Sequence, residues 1–184
     1  WLIALTIPFW TSYLLRVFAW KLILGYNGVI NGSLSNLGLI DNPLAFLLYN
    51  PFAVFVTLAH AWSAFAILPI YVSLEKIDRS LLEAASDLGD SAFRRFWRIT
   101  FPLSYPGVLA ASLIIFIPTT GDFITPKLVG GSEGIMVANL IQVMFGKANN
   151  WPLGSSLAII TMTIVVILVI CFVVISRWLI SRIK

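Results

Sequence analysis

The chain has 184 residues, of which 59% are hydrophobic and 11% charged, with a mean hydropathy of +0.95. A soluble domain carries about 25% charged residues, so a chain this poor in charge cannot clothe a globule in water. The formal net charge of +4 is therefore mapped against a bilayer before it is taken as a sign of nucleic acid, and no nucleic-acid partner is expected.

In chain order, residues 1–24 are apolar apart from Pro8, Arg16 and Lys21, and the lipid-compatible part is expected to span residues 1–15. Residues 14–24 read as a helix near an interface, where Arg16 and Lys21 can snorkel. The chain opens on Trp1 inside an apolar stretch, without an initiator Met or a basic signal region. It is expected to be N-terminally truncated. Residues 25–50, rich in Gly, Asn and Ser, read as a loop with short turns. The sequon Asn31-Gly32-Ser33 is too short a pattern to weigh much.

Residues 51–74 hold no Asp, Glu, Lys or Arg and are long enough to cross a hydrocarbon core of about 30 Å. Residues 103–119 and 152–176 are two further spans. Between them, residues 120–151 mix turns with an amphipathic stretch over 136–147. One transmembrane domain is expected over 1–184, with a charged loop at 75–102. That loop holds five Lys/Arg and the tail after 176 holds Arg177, Arg182 and Lys184. The segments 25–50 and 120–151 hold only Lys127 and Lys147, so the loop and tail are placed in the cytoplasm. Cys171 lies in an apolar run and reads as an inert small hydrophobe.

The loop carries the strongest signal. Ser80 and Glu83 have capping-box spacing ahead of Leu81, Leu82, Ala84, Ala85 and Leu88. Gly89 fits a helix stop at positive φ, and Asp90 or Ser91 can cap a second short helix bearing Phe93, Phe96 and Trp97. Pro102 fits the first turn of the next span. The outcome is a two-helix elbow with an apolar knob, either tucked against its own helix ends or plugging a cytoplasmic partner.

Glu83-Ala84-Ala85, Gly89, Ile99 and Pro102 resemble, at matching spacings, the loop of permease subunits of binding-protein-dependent ABC importers, with Phe101 where that pattern has Leu. The resemblance implies an all-α membrane protein, a type I (MetI-like) permease bundle in the bacterial inner membrane. It implies an ATPase dimer, a second permease subunit and a periplasmic solute-binding protein as partners. ATP and Mg would sit on the ATPase, and this chain would be no enzyme. Ser80, Glu83, Ala84, Ala85, Leu88, Gly89, Ile99 and Pro102 would form the ATPase-coupling loop. In agreement, Gly146-Lys147 lacks the first Gly and the Ser/Thr of a phosphate loop, with Ile141 and Ala148 at those positions.

Gly121-Asp122-Phe123-Ile124-Thr125-Pro126, Gly130-Gly131, Asn139 to Gln142 and Asn150 to Gly154 further resemble spermidine/putrescine permeases. A carboxylate at Asp122 suits a polyammonium cargo if it lines a cavity at membrane depth, with Phe123 and Trp62 as aromatic neighbours. The alternative is that Asp122 caps the following segment or sits in periplasmic water. His60 is expected to bond a neighbouring helix. An importer of ferric iron, phosphonate or another anion, a secondary transporter or channel, and a membrane enzyme are the competing readings. The last lacks any catalytic motif in the sequence. No metal site is expected.

Overall fold

The computed structural model describes residues 6–183, and the side chains of residue 8 and of 179–183 are outside that description. The described residues form eight helices and two 3₁₀ turns, with no strand among them. The chain divides into two compact units, Trp1–Ala64 with Pro118–Met162, and Phe65–Ile117 with Thr163–Lys184.

The first unit starts with a 3₁₀ turn, Ile7–Trp10, and helix α1, Tyr13–Leu24. The stretch expected to span as 1–15 is thus interrupted at Ser12 in its described part, and residues 1–5 lie outside it. Helix α2, Val29–Asn36, occupies sequence that reads as loop. Its Gly, Asn and Ser content gives no helical pattern. What holds it is tertiary: the buried Asn31 amide donates to the Gly25 and Leu44 carbonyls at 3.2 and 3.3 Å, and its oxygen accepts the Leu44 N–H at 2.8 Å. That also takes the Asn31 sequon out of reach.

Helix α3, Pro51–Glu75, begins at an Asn-Pro pair. The Asn50 side chain accepts the Ala53 N–H at 2.9 Å, and Pro51 follows at the first helical position, where its missing N–H costs no helical bond. Val17, Leu24, Leu47, Ala53, Val54 and Val129 form the buried core of this unit. Helix α1 packs on α2 and on a short helix α6, Ile124–Val129, which meets α7, Val137–Phe145.

In the second unit, helix α4, Arg79–Asp87, precedes helix α5, Ala92–Thr120, which runs unbroken through residues expected to be loop. Its turn at Phe96–Thr100 is π-helical, with the Phe101 N–H bonded to the Phe96 carbonyl five residues back. Pro102 therefore sits inside a continuous helix and does not start one. A proline has no N–H for the carbonyl four residues earlier and crowds it, and a widened turn just before it relieves both problems. Gly107 lets α5 approach the end of α3: a Cβ there would lie 2.5 Å from the Pro69 carbonyl and 2.3 Å from the Ser73 hydroxyl.

Helix α8, Trp151–Ile183, completes the set. Three helices, Pro51–Glu75, Ala92–Thr120 and Trp151–Trp178, are long and apolar enough to cross a membrane. None of the apolar window of the last is buried, so its surface suits lipid. Arg177 is on α8, and the other two tail cations, Arg182 and Lys184, fall where side chains are not described.

Candidate functional site: an exposed elbow and a buried polar node

The elbow is built from caps. The N-cap of α4 is Asp78, not Ser80: the Asp78 carboxylate accepts the Ser80 N–H at 2.9 Å. Aspartate caps as well as serine does, and it stands two residues nearer the end of α3, so the helix starts there and the expected Ser80–Glu83 box is displaced. Those bonds to Ser80 hold the Asp78 carboxyl below its ordinary range.

At the other end, Gly89 has φ +84°. Its N–H donates to Ser86 at 3.0 Å, and the Asp90 N–H donates to Ala85 at 3.0 Å. This is the paired bonding of a Schellman stop, which uses up the last carbonyls of α4. Ser91 then caps α5 by accepting the Arg94 N–H at 3.5 Å, while Asp90 pairs with Arg98 at 3.2 Å.

Of the expected coupling residues, Ser80, Glu83, Ala84 and Leu88 are exposed, and Leu88 is 87% exposed. Ala85 is turned inward and buried. Ile99 lies half-buried in the π turn, with Pro102 just beyond it. Arg79, Leu82, Glu83, Ser86 and Arg95 line an open cleft of ≈ 350 Å³ between α4 and the start of α5. Sequence reasoning missed the aromatic ladder beside it. Phe96 and Trp97 centroids are 5.3 Å apart, Trp97 and Phe101 5.1 Å, and Phe101 and Tyr105 5.9 Å. The four-residue recurrence of 97, 101 and 105 was the available signal, and Phe101, the one departure from the loop pattern, stands in its middle.

The second feature centres on Asp122, which is 8% exposed. One carboxylate oxygen accepts the backbone N–H groups of Ile124 at 2.8 Å and Thr125 at 3.2 Å, so Asp122 caps α6. The other accepts the Thr125 hydroxyl at 2.7 Å and the Tyr13 hydroxyl from α1. Phe123 is partly exposed beside it, and its carbonyl accepts the Asn139 amide at 2.7 Å. The Trp62 ring stands 6.0 Å from the Tyr13 ring, so two of the three expected pathway residues approach one node through Tyr13. His60 is flanked by rings, Phe9 at 6.3 Å and Trp20 at 5.4 Å.

Beyond Tyr13 the same cluster holds Arg16. Its guanidinium lies 4.7 Å from the Phe9 centroid and donates to the Ala61 carbonyl of α3 at 3.3 Å. No group of His, Cys, Asp and Glu that could hold a metal occurs among the described residues.

Comparison with known proteins agrees with this architecture. The family described as "binding-protein-dependent transport system inner membrane component" matches residues 1–184. The spermidine/putrescine transport system permease protein PotB of Escherichia coli (strain K12) is 40% identical over 164 residues, 89% of this chain and 59% of the relative. PotB of Haemophilus influenzae is 39% identical over 86% of this chain and 55% of its own length. The inner membrane ABC transporter permease protein YdcU of Escherichia coli (strain K12) is 33% identical over 89% and 55%. The chain thus spans less than two thirds of the length of these relatives. A helical chain with membrane-length helices and a capped, exposed elbow belongs to the family of binding-protein-dependent transport system inner membrane components.

Proposed function

We propose that the chain is the permease subunit of an ATP-driven, binding-protein-dependent importer of polyamines, crossing the bacterial inner membrane several times. Its partners are a cytoplasmic ATPase dimer, a second permease subunit and a periplasmic solute-binding protein. ATP is hydrolysed on the ATPase and not on this chain. The polyamine cargo is supported by the 40% identity to a spermidine/putrescine permease over most of the chain.

The observation that carries the coupling role is the elbow. Helix α4 is closed at both ends, by Asp78 and by the Schellman stop at Gly89, so it is a rigid plug. Leu88, Phe93 and Trp97 expose apolar surface around it, beside Glu83 and the Arg79 and Arg95 cations. Helix α5 continues from the elbow into its membrane-length segment without a break. Closure of two ATPases on the elbow therefore moves that helix as a unit. Charge supports the orientation, since five Lys/Arg lie in 75–102. Asp122 serves the cargo path indirectly in this reading: its oxygens are taken by α6 and by Tyr13, and it positions the aromatic wall next to it.

The test is reconstitution of the complex in liposomes with its binding protein. Spermidine- or putrescine-loaded binding protein should stimulate ATP hydrolysis and drive uptake. Stimulation only by another solute would remove the polyamine assignment. ATP hydrolysis and ATPase binding unaffected by deleting α4 would remove the coupling assignment.

A further inference from the structure

Arg16 carries its charge into an unusual place. The Ala61 carbonyl it reaches is ten residues past Pro51, about 15 Å along a helix of membrane length. An ionisable group at that depth marks function by default. The guanidinium is seated on π faces: 4.7 Å from the Phe9 centroid and 5.9 Å from that of Tyr13. Phe9 in turn stacks on His60 at 24°, and the Tyr13 hydroxyl is anchored to the Asp122 carboxylate. Two electron-rich rings, one carbonyl and a carboxylate behind the second ring form an environment selective for a cation.

The seat is nevertheless poor for arginine. Its hydrogen bond to the Ala61 carbonyl is 3.3 Å long, and its buried Nε has no hydrogen-bond partner among the described residues. A rigid fork turned toward one carbonyl leaves the buried Nε–H without an acceptor, whereas an ammonium has three donors that rotate to the acceptors and ring faces present and no fork to satisfy.

We infer that Phe9, Tyr13 and the Ala61 carbonyl form a binding site for a primary alkylammonium group, occupied in this conformation by the chain's own Arg16. The inference rests on the polyamine reading for its physiological ligand. Arg16 acts as a tethered competitor. While it is seated, the site is closed to cargo and its positive charge repels a polycation. When α1 and α3 move apart, the guanidinium leaves and an ammonium end takes the ring faces.

The test uses the complete purified importer without its binding protein, with radiolabelled putrescine as probe and labelled butanediol as the uncharged isostere. Arg16→Gln should retain about tenfold more putrescine than the unaltered complex, and no more butanediol. Adding Phe9→Leu should return retention to the unaltered level. No gain in Arg16→Gln, or a gain that survives Phe9→Leu, overturns the site. If Arg16→Gln fails to assemble, Arg16→Ala reports instead: it removes the tethered cation outright and should give a comparable gain, and retention equal to the unaltered complex overturns the site. Import of spermidine by the unaltered complex, run in parallel, tests the polyamine reading separately. Without import the cargo class falls, while the site stands or falls on the putrescine data.

Discussion

The Tyr13 hydroxyl donates to the buried carboxylate of Asp122, 109 positions along the chain, and shares that carboxylate with the Thr125 hydroxyl. This one contact joins α1 to the cap of α6, which is also where those two helices pack. A buried carboxylate is tolerable only while its lone pairs are met by donors, and Asp122 has two backbone and two side-chain donors.

Removing a hydroxyl from that set costs about 1.5–3 kcal/mol, the range for a hydrogen bond to a charged group. Tyr13→Phe should therefore lower the thermal midpoint of the purified complex. Asp122→Asn keeps an acceptor oxygen for the α6 N–H groups and should cost less than Asp122→Ala, which strips the cap and leaves the Tyr13 and Thr125 hydroxyls, 2.6 Å apart, with only each other. Scanning fluorimetry in detergent gives the order. Uptake measured per assembled complex shows whether Asp122→Asn harms transport beyond its effect on folding. Equal melting of Asp122→Asn and Asp122→Ala would contradict the capping geometry.

At the elbow, Gly89 holds φ +84° with nothing within 4 Å of where a Cβ would stand. The only penalty of Gly89→Ala is then conformational, about 1–2 kcal/mol. Gly89→Pro is incompatible both with that φ and with the N–H donated to Ser86. Co-purification with the ATPase should be reduced by the first and abolished by the second, with both proteins still in the membrane fraction. Full ATPase recovery with Gly89→Pro would show that the elbow is not the docking element.

The Asp78 cap makes a pH-dependent contribution. Hydrogen bonding to Ser80 lowers its carboxyl below the ordinary 3.8, so the folded elbow favours the ionised form. The contribution is complete above that ordinary value and is lost as pH falls through the lower folded value. The protection of the Ser80 amide, taken relative to its intrinsic exchange rate at each pH, should fall on acidification in that window, and this step should be absent in Asp78→Asn. An unchanged exchange profile in Asp78→Asn would assign the protection to something other than the cap.

Much of this was legible from residue order because it is local. A Gly in the middle of Asp87-Leu88-Gly89-Asp90 announces a stop at positive φ, and a charge-free run such as 51–74 announces a membrane-length helix. The start of α4 slipped to Asp78 because two good capping residues lie two positions apart, and only the path of the chain leaving α3 chooses between them. The π turn before Pro102 was hidden because a proline is compatible both with a helix start and with a helix that widens ahead of it. Helix α2 and the Tyr13–Asp122 bond were not legible at all, since each depends on a partner brought close by folding: Leu44 for Asn31, and α6 for Tyr13.

Gly107 is the last such case. Nothing in Tyr105-Pro106-Gly107-Val108 distinguishes a tolerated helix glycine from a contact point. A Cβ there would stand 2.5 Å from the Pro69 backbone carbonyl, which cannot swing away as the Ser73 hydroxyl can. Forcing an extra group into a packed helix contact costs about 1–3 kcal/mol, and in lipid small residues are what let two helix backbones approach. Gly107→Ala should lower the thermal midpoint of the complex, and Gly107→Leu should separate α3 from α5 and cut uptake far more than it cuts membrane insertion. Ser73→Gly removes one of the two clashing groups and should recover part of the Gly107→Ala loss, leaving the share due to the Pro69 carbonyl. A Gly107→Ala complex that melts and transports like the unaltered one would mean that the two helices do not approach this closely in the membrane.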